Sequence, residues 1–223
     1  MLSMSKENFI ANMKNIDLGV EQIYNEGHRL LQFFKFAGDE HSHIDRLLRW
    51  AEFPSNAKVI DLGSGTGEMT RVMKLLRGDL SFCLVNLSEY QLSLSNEQHK
   101  HCCDFCNVPE PDGAFDAAMF CTSLGHADIG EALREASRLL RSGGVLFISD
   151  LVKKETGKLN IPSIEYFVYS RSDLENEAKK YGLVLDFYME PIDTKMLGEI
   201  MSNETLKTVL AGAIPANWRF IKS

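Results

Sequence analysis

In this 223-residue chain, the stretch Asp61-Leu-Gly-Ser-Gly-Thr-Gly67 is where residue type and spacing most directly permit chemistry. Gly63, Gly65 and Gly67 lack Cβ atoms, so the backbone can turn with positive φ and let a ligand approach closely, facing the first amides of the helical pattern that begins at Glu68. Asp61 offers an acceptor to the same space. Val59, Ile60 and Leu62 form an apolar run fit for a buried parallel strand, so the local order is strand, tight turn, helix. An ordinary βα turn also uses glycine, so this loop counts as a ligand site only if other residues converge on it. Its G-x-G-x-G spacing departs from the dinucleotide fingerprint G-x-G-x-x-G, which disfavours a nicotinamide cofactor.

The run D-L-G-S-G-T-G resembles the first motif of the class I S-adenosylmethionine-dependent methyltransferases. The phrase Val85-Asn-Leu-Ser-Glu-Tyr-Gln91 looks like the branch holding the sterol and prenyl-diphosphate C-methyltransferases and the cyclopropane fatty acid synthases. That resemblance implies S-adenosylmethionine as cofactor and S-adenosylhomocysteine as product. It implies a cofactor set of Asp61, Gly63, Ser64, Gly65, Gly67, Asn86, Leu87, Gln91, Asp104, Phe105 and Cys121. Within it Asn86 and Gln91 face the ribose, while Asp104 and the Phe105 amide pair with the adenine edge as acceptor beside donor. Asn86 is neutral where such folds often carry a carboxylate, which weakens the ribose contact. Each position also has a local reading: Ser88 as a helix N-cap and Asp104 as the cap of its own turn.

The acceptor side is read from His126, in Cys121-Thr-Ser-Leu-Gly-His-Ala-Asp128 at the carboxyl end of a strand. A His there either takes a proton from the nucleophile, holds substrate or cofactor by a hydrogen bond, or packs at a helix entrance against backbone. Tyr24 and His28 join it as catalytic candidates, and His43, Tyr166 and Tyr169 as substrate-binding candidates. A soft-ligand cluster, His99, His101, Cys102, Cys103 and Cys106, contains C-x-x-C but no second pair to close a tetrahedral site, so the expectation is no metal.

These residues need a doubly wound scaffold. The expected fold is α/β, a Rossmann-like seven-stranded sheet with an N-terminal helical cap at 1–55, a core at 56–223, and substrate-lid segments at 151–170 and 193–215. Strands are expected at 59–62, 82–87, 101–105, 117–120, 145–149, 183–189 and 218–222. Helices begin at about Ile44, Glu68, Asp128 and Ser172; Gly78 ends the second and Arg141–Gly144 closes the third. Length suits one domain.

A net charge of -7 with no dense Lys/Arg run argues against a polyanionic partner, so a small-molecule acceptor is favoured over nucleic acid. No stretch reaches membrane-spanning length, and five cysteines, an odd number, suit a reducing compartment, so the protein reads as cytoplasmic, with homodimerisation open. The chemistry expected is in-line methyl transfer to carbon, nitrogen or oxygen of a small molecule. A non-catalytic S-adenosylmethionine-binding accessory subunit is the reading from another class, and a nucleic-acid methyltransferase is less favoured, since no base-flipping motif is present.

Overall fold

The computed structural model describes Met13, Asp17, Leu18, Val20 and Glu21, then residues 40–159, 166–190 and 212–223. Tyr24 and His28, most of the expected cap and most of the 193–215 segment lie outside the described residues.

Seven strands form one sheet: β1 (Lys58–Leu62), β2 (Ser81–Asn86), β3 (Lys100–Cys102), β4 (Phe115–Cys121), β5 (Leu140–Val152), β8 (Leu183–Met189) and β9 (Ile214–Lys222). A separate two-stranded piece pairs β6 (Gly157–Lys158) with β7 (Phe167–Val168). The sheet order is β3-β2-β1-β4-β5-β9-β8, so the winding reverses between β1 and β4, the place where doubly wound folds bind ligands. The pairings among β1 to β5 are parallel, whereas β9 runs antiparallel to both β5 and β8.

Apolar runs make β1, β2, β4 and β5 central, because both faces of a parallel sheet are covered. Ile60 and Leu62 pack into one core with Phe120, Leu133, Ala136 and Trp218. Val59 faces the other, with Val72, Met73, Phe82 and Phe147. Helix α1 (Glu40–Ala51) supplies Ile44, Leu47, Leu48 and Ala51 to that second core, beside α2 (Glu68–Leu76). α4 (Ile129–Leu139) and α5 (Arg171–Lys180) cover the opposite face, and α3 (Glu89–Ser93) follows β2.

Several boundaries differ from expectation for identifiable reasons. His43 lies in the first turn of α1, which begins at Glu40 rather than Ile44. α2 ends at Leu76 with Arg77 as its cap, ahead of Gly78, and Gly78 is absent from the glycines at positive φ. β3 stops at Cys102, because Asp104 turns the chain: its Oδ1 accepts from Cys106 N at 2.9 Å. Arg141–Gly144 does not separate helix from strand but lies within β5, as an irregularity opposite Phe115–Ala117. The N-cap of α5 is Ser170 rather than Ser172: Ser170 Oγ accepts from Asp173 N at 3.1 Å. The helix expected from about Asp128 begins there, with Asp128 as its N-cap and Oδ1 accepting from Gly130 N and Glu131 N. Between 151 and 170 the described chain includes the end of β5, which runs to Val152, and the short pair of β6 with β7.

Candidate active site

β1, β2 and β4 are parallel, so their carboxyl ends share the sheet edge where doubly wound folds form a ligand crevice, and the three glycines after β1 serve that edge differently. Gly63 sits at φ +86°, and a Cβ there would lie 2.5 Å from Ser123 Cβ. Gly67, at φ +74°, begins α2 and would meet Ser95 Oγ at 2.7 Å. Both are therefore needed for packing. Gly65 is the open one: its nearest neighbour would be Gln91 Oε1 at 3.5 Å. The Gly63 and Ser64 amides both donate to Val85 O, at 2.9 and 3.0 Å, and so tie the loop to β2. Ser64 Oγ is buried without a hydrogen-bond partner among the described residues, an orphan that a ligand over Gly65 can satisfy.

Asp61 lies under this loop, 2% exposed, with Oδ2 accepting from Thr70 Oγ1 at 2.8 Å. Burial pushes its carboxyl up to about 7, against the lowering effect of the Thr70 bond. Around the β2 end, Asn86 Nδ2 donates to Gln91 Oε1 at 3.4 Å. Asp17 completes this edge: its Oδ1 accepts from Gln91 Nε2 at 2.7 Å and from Ser88 Oγ at 2.8 Å. No sequence signal marked Asp17, because the contact spans more than seventy residues and lacks a motif. Leu87 follows Asn86, and its carbonyl lies 3.5 Å from Cys102 Sγ. Phe105 packs edge-on against Phe120, ring centroids 5.5 Å apart, and lies beneath Gly63.

β4 ends at Cys121, whose thiol burial pushes well above its ordinary value, and leaves through Thr122 at φ 55°. A β-branched residue in the left-handed region is strained by about 1–3 kcal/mol, and such strain is tolerated where surrounding contacts dictate the backbone. Thr122 N donates to Ser149 O at 2.8 Å and Ser123 Oγ donates to Leu62 O at 2.6 Å, which fixes the turn on both sides. The short 3-10 turn Leu124–His126 follows, held by Asp150 through Leu124 N at 3.2 Å.

His126 meets the ring of Tyr166 edge-on, centroids 4.7 Å apart. Tyr166 is 5% exposed and donates to Asp150 Oδ1 at 2.5 Å; Tyr169 donates to Ala127 O at 2.7 Å. The two tyrosines expected to face substrate thus clamp the turn that carries His126. Burial pushes Asp150 up to about 6. Asp150 thus positions the His126 turn through Leu124 N and Tyr166, a role that no spacing in the sequence marks. His43 is half-buried in α1, and burial together with the charge of Arg46 brings its imidazole down to about 4.

Residues 60–148 match a methyltransferase domain family. Ribosomal RNA-processing protein 8 of Caenorhabditis briggsae is 26% identical over 82% of this chain and 58% of its own length. The 25S rRNA (adenine(645)-N(1))-methyltransferase of Schizosaccharomyces pombe is 30% identical over 65% of this chain and 44% of its own. The chain thus spans about half the length of these curated relatives. Geranyl diphosphate C-methyltransferase from Streptomyces coelicolor A3(2), solved with Mg2+, geranyl diphosphate and S-adenosyl-L-homocysteine, superposes with a TM-score of 0.69. At 15% identity, over 82% of this chain and 79% of that one, this likeness concerns the fold. Residues 60–148 thus carry a methyltransferase-family domain, on the fold of the class I S-adenosylmethionine-dependent methyltransferases. The glycine loop, the Asn86–Gln91 edge and the Asp104 turn follow β1, β2 and β3, and the His126 turn is tied to the end of β1 through Ser123. No helix among the described residues is long and apolar enough to cross a membrane.

Proposed function

We propose that this protein transfers a methyl group from S-adenosylmethionine to carbon, nitrogen or oxygen of a small-molecule acceptor enclosed in a pocket, and that it works in the cytoplasm. The carrying observation is Ser123, which touches the glycine loop through Leu62 O and stands three residues before His126. One short turn therefore joins the cofactor side to a titratable side chain. The cofactor would lie along Gly65, Ser64 and Gln91, supplying a methyl already activated on a sulfonium. Asp61 and Asp17 give that end of the crevice an acidic character suited to a cationic ligand.

The protein's own task is alignment and exclusion of water, since a positioned nucleophile accounts for much of the rate in a transfer of this kind. His126 would accept a proton at the acceptor atom where one must be lost, with Tyr166 and Asp150 fixing the ring and its turn. An enclosed small acceptor is supported by the Tyr166 and Tyr169 clamp and by the net charge of -7. A ribosomal RNA adenine is the second reading, favoured by the names of the two curated relatives.

The test is methyl-labelled S-adenosylmethionine with prenyl diphosphates, sterols, amines and phenols in one arm and ribosomal RNA in the other. Label in a small molecule, reduced by about 10²–10⁴-fold in His126→Gln with cofactor binding retained, is the expected result. Label in RNA alone overturns the acceptor assignment. Cofactor binding with transfer to nothing identifies an accessory subunit, and no binding defeats the reading altogether.

A pH dependence follows from Asp61. A carboxyl raised in the folded state adds stability that is full below its unfolded value near 3.8 and is lost as pH rises to about 7. A cationic cofactor favours the ionised form. Its affinity should therefore strengthen by up to about tenfold per pH unit below about 7 and level off above it. Calorimetric titration across that range checks this, and Asp61→Asn should flatten the profile. A flat wild-type profile would remove Asp61 from the cofactor's surroundings.

A further inference from the structure

We propose that Cys83, His99, His101 and Glu110 form a binding site for one divalent transition-metal ion of the zinc class, fastening the sheet-edge strand β3 to β2 and to the β3–β4 loop. One ligand atom from each of the four lies within 4.8 Å of every other. The ligand set shares no residue with the proposed cofactor set and does not depend on the function proposed above. The sequence singled out His99 and His101 but set them beside the wrong cysteines, because the ligands come from three segments and Cys102, Cys103 and Cys106 are not among them. Cys106 is buried in the core and Cys102 lies near Leu87 O.

The fold explains the convergence. β2 and β3 are parallel with Leu84 opposite Lys100 and Val85 opposite His101, which places Cys83 level with His99. Residues two apart on a strand share a face, so His99 and His101 project together. Their rings meet edge-on, centroids 5.2 Å apart. Glu110 returns from the loop so that its Oε1 lies 2.6 Å from His99 Nε2 and 2.8 Å from His101 Nε2.

Two imidazoles, one carboxylate and one thiolate are a donor set that zinc accepts, and at bond lengths of about 2.0–2.3 Å a tetrahedron spaces its donors about 3.3–3.6 Å apart. Seating an ion therefore lengthens the two His–Glu contacts by under about 1 Å and draws the thiol sulfur inward. On binding, the Cys83 thiol proton and any proton shared between Glu110 and the histidines leave to solvent. Two neutral imidazoles, a carboxylate and a thiolate then balance the two positive charges. Access is from the histidine side: the His99 side chain is 41% exposed, whereas Cys83 is fully buried.

The probe is Co2+, then Zn2+, added to the full chain after treatment with chelator and reductant. One equivalent of Co2+ should give a thiolate-to-metal charge-transfer band that Zn2+ abolishes, and Zn2+ should raise the melting temperature. Cys83→Ser should remove the band and the thermal shift. Glu110→Gln should weaken Zn2+ binding by at least the roughly 10–100-fold typical of losing a metal ligand's support. Cys102→Ser and Cys103→Ser should change neither. Absence of a band in wild type, or a band lost with Cys102 or Cys103 and kept in Cys83→Ser, overturns the site and leaves a hydrogen-bonded Glu–His–His group. If Cys83→Ser does not fold, Glu110→Gln and His101→Gln decide by the same titration, and unchanged affinity in both overturns the proposal.

Discussion

Gly63→Ala should abolish cofactor binding and lower unfolding free energy by about 2–5 kcal/mol. The sum combines about 1–2 kcal/mol for an L-residue in the left-handed region with about 1–3 for overpacking. The added methyl meets Ser123 Cβ at 2.5 Å and Oγ at 2.9 Å, and neither can retreat easily, because Ser123 is buried and bonded to Leu62 O. A domain whose whole margin is about 5–15 kcal/mol feels such a loss strongly. Adding Ser123→Gly should recover the steric part but not the backbone part. Gly65→Ala, with nothing closer than Gln91 Oε1 at 3.5 Å, should cost only the strain of its φ of +55° while still weakening the cofactor. Denaturant unfolding and calorimetric titration of the three variants separate these terms. An unchanged midpoint for Gly63→Ala would mean that the turns after β1 and β4 can move apart, contrary to the packing described.

Gly125→Ala should affect the other half of the crevice. Gly125 is not among the positive-φ glycines, so the effect is steric: its Cβ would stand 2.3 Å from Phe167 O and 2.4 Å from Tyr166 Cε1. One of those atoms is backbone, so the β7 strand or the His126 turn must move. A displacement near 1 Å at a reacting group costs on the order of 100-fold in rate. Turnover should fall by at least that factor while cofactor affinity stays near wild type, because the glycine loop is untouched. Equal losses in both quantities, or full turnover, would show that the His126–Tyr166 arrangement is not part of the reaction's geometry. The measurement needs the acceptor identified by the labelling experiment.

Much of the scaffold was legible because it rests on local signals. An apolar run followed by alternating glycines specified β1, its turn and the start of α2, and Leu183–Met189 emerged as β8 with its expected ends. Boundaries failed where two local solutions compete. Ser170 and Ser172 each precede an acidic residue three positions on, and the structure uses the first. Glycines at 143 and 144 look like a helix stop, yet Leu140 and Val145 on either side of them both pair with β4, which keeps them within a strand as an irregularity. The candidate site was legible as residues but not as relations. Asp104 was recognised, and of its two readings the coordinates show the local one, the cap of its own turn. Tyr166 was recognised, but its Asp150 partner and its buried position depend on the β6–β7 pairing, which leaves no periodic trace. Asp17 and Glu110 act across long loops, so their partners are set by topology rather than by spacing.

The antiparallel strand β9 also constrains how the molecule is made. β8 precedes β9 in the chain, yet it joins the sheet only through β9, which sits between it and β5. During synthesis at about 5–20 residues per second, β8 therefore leaves the ribosome before its sole neighbour in the sheet exists, and β5 shows a bare edge meanwhile. An uncovered, apolar strand edge invites pairing with other chains. That interval, set by topology rather than by final stability, is where a nascent chain of this design is most exposed to aggregation and most in need of a chaperone.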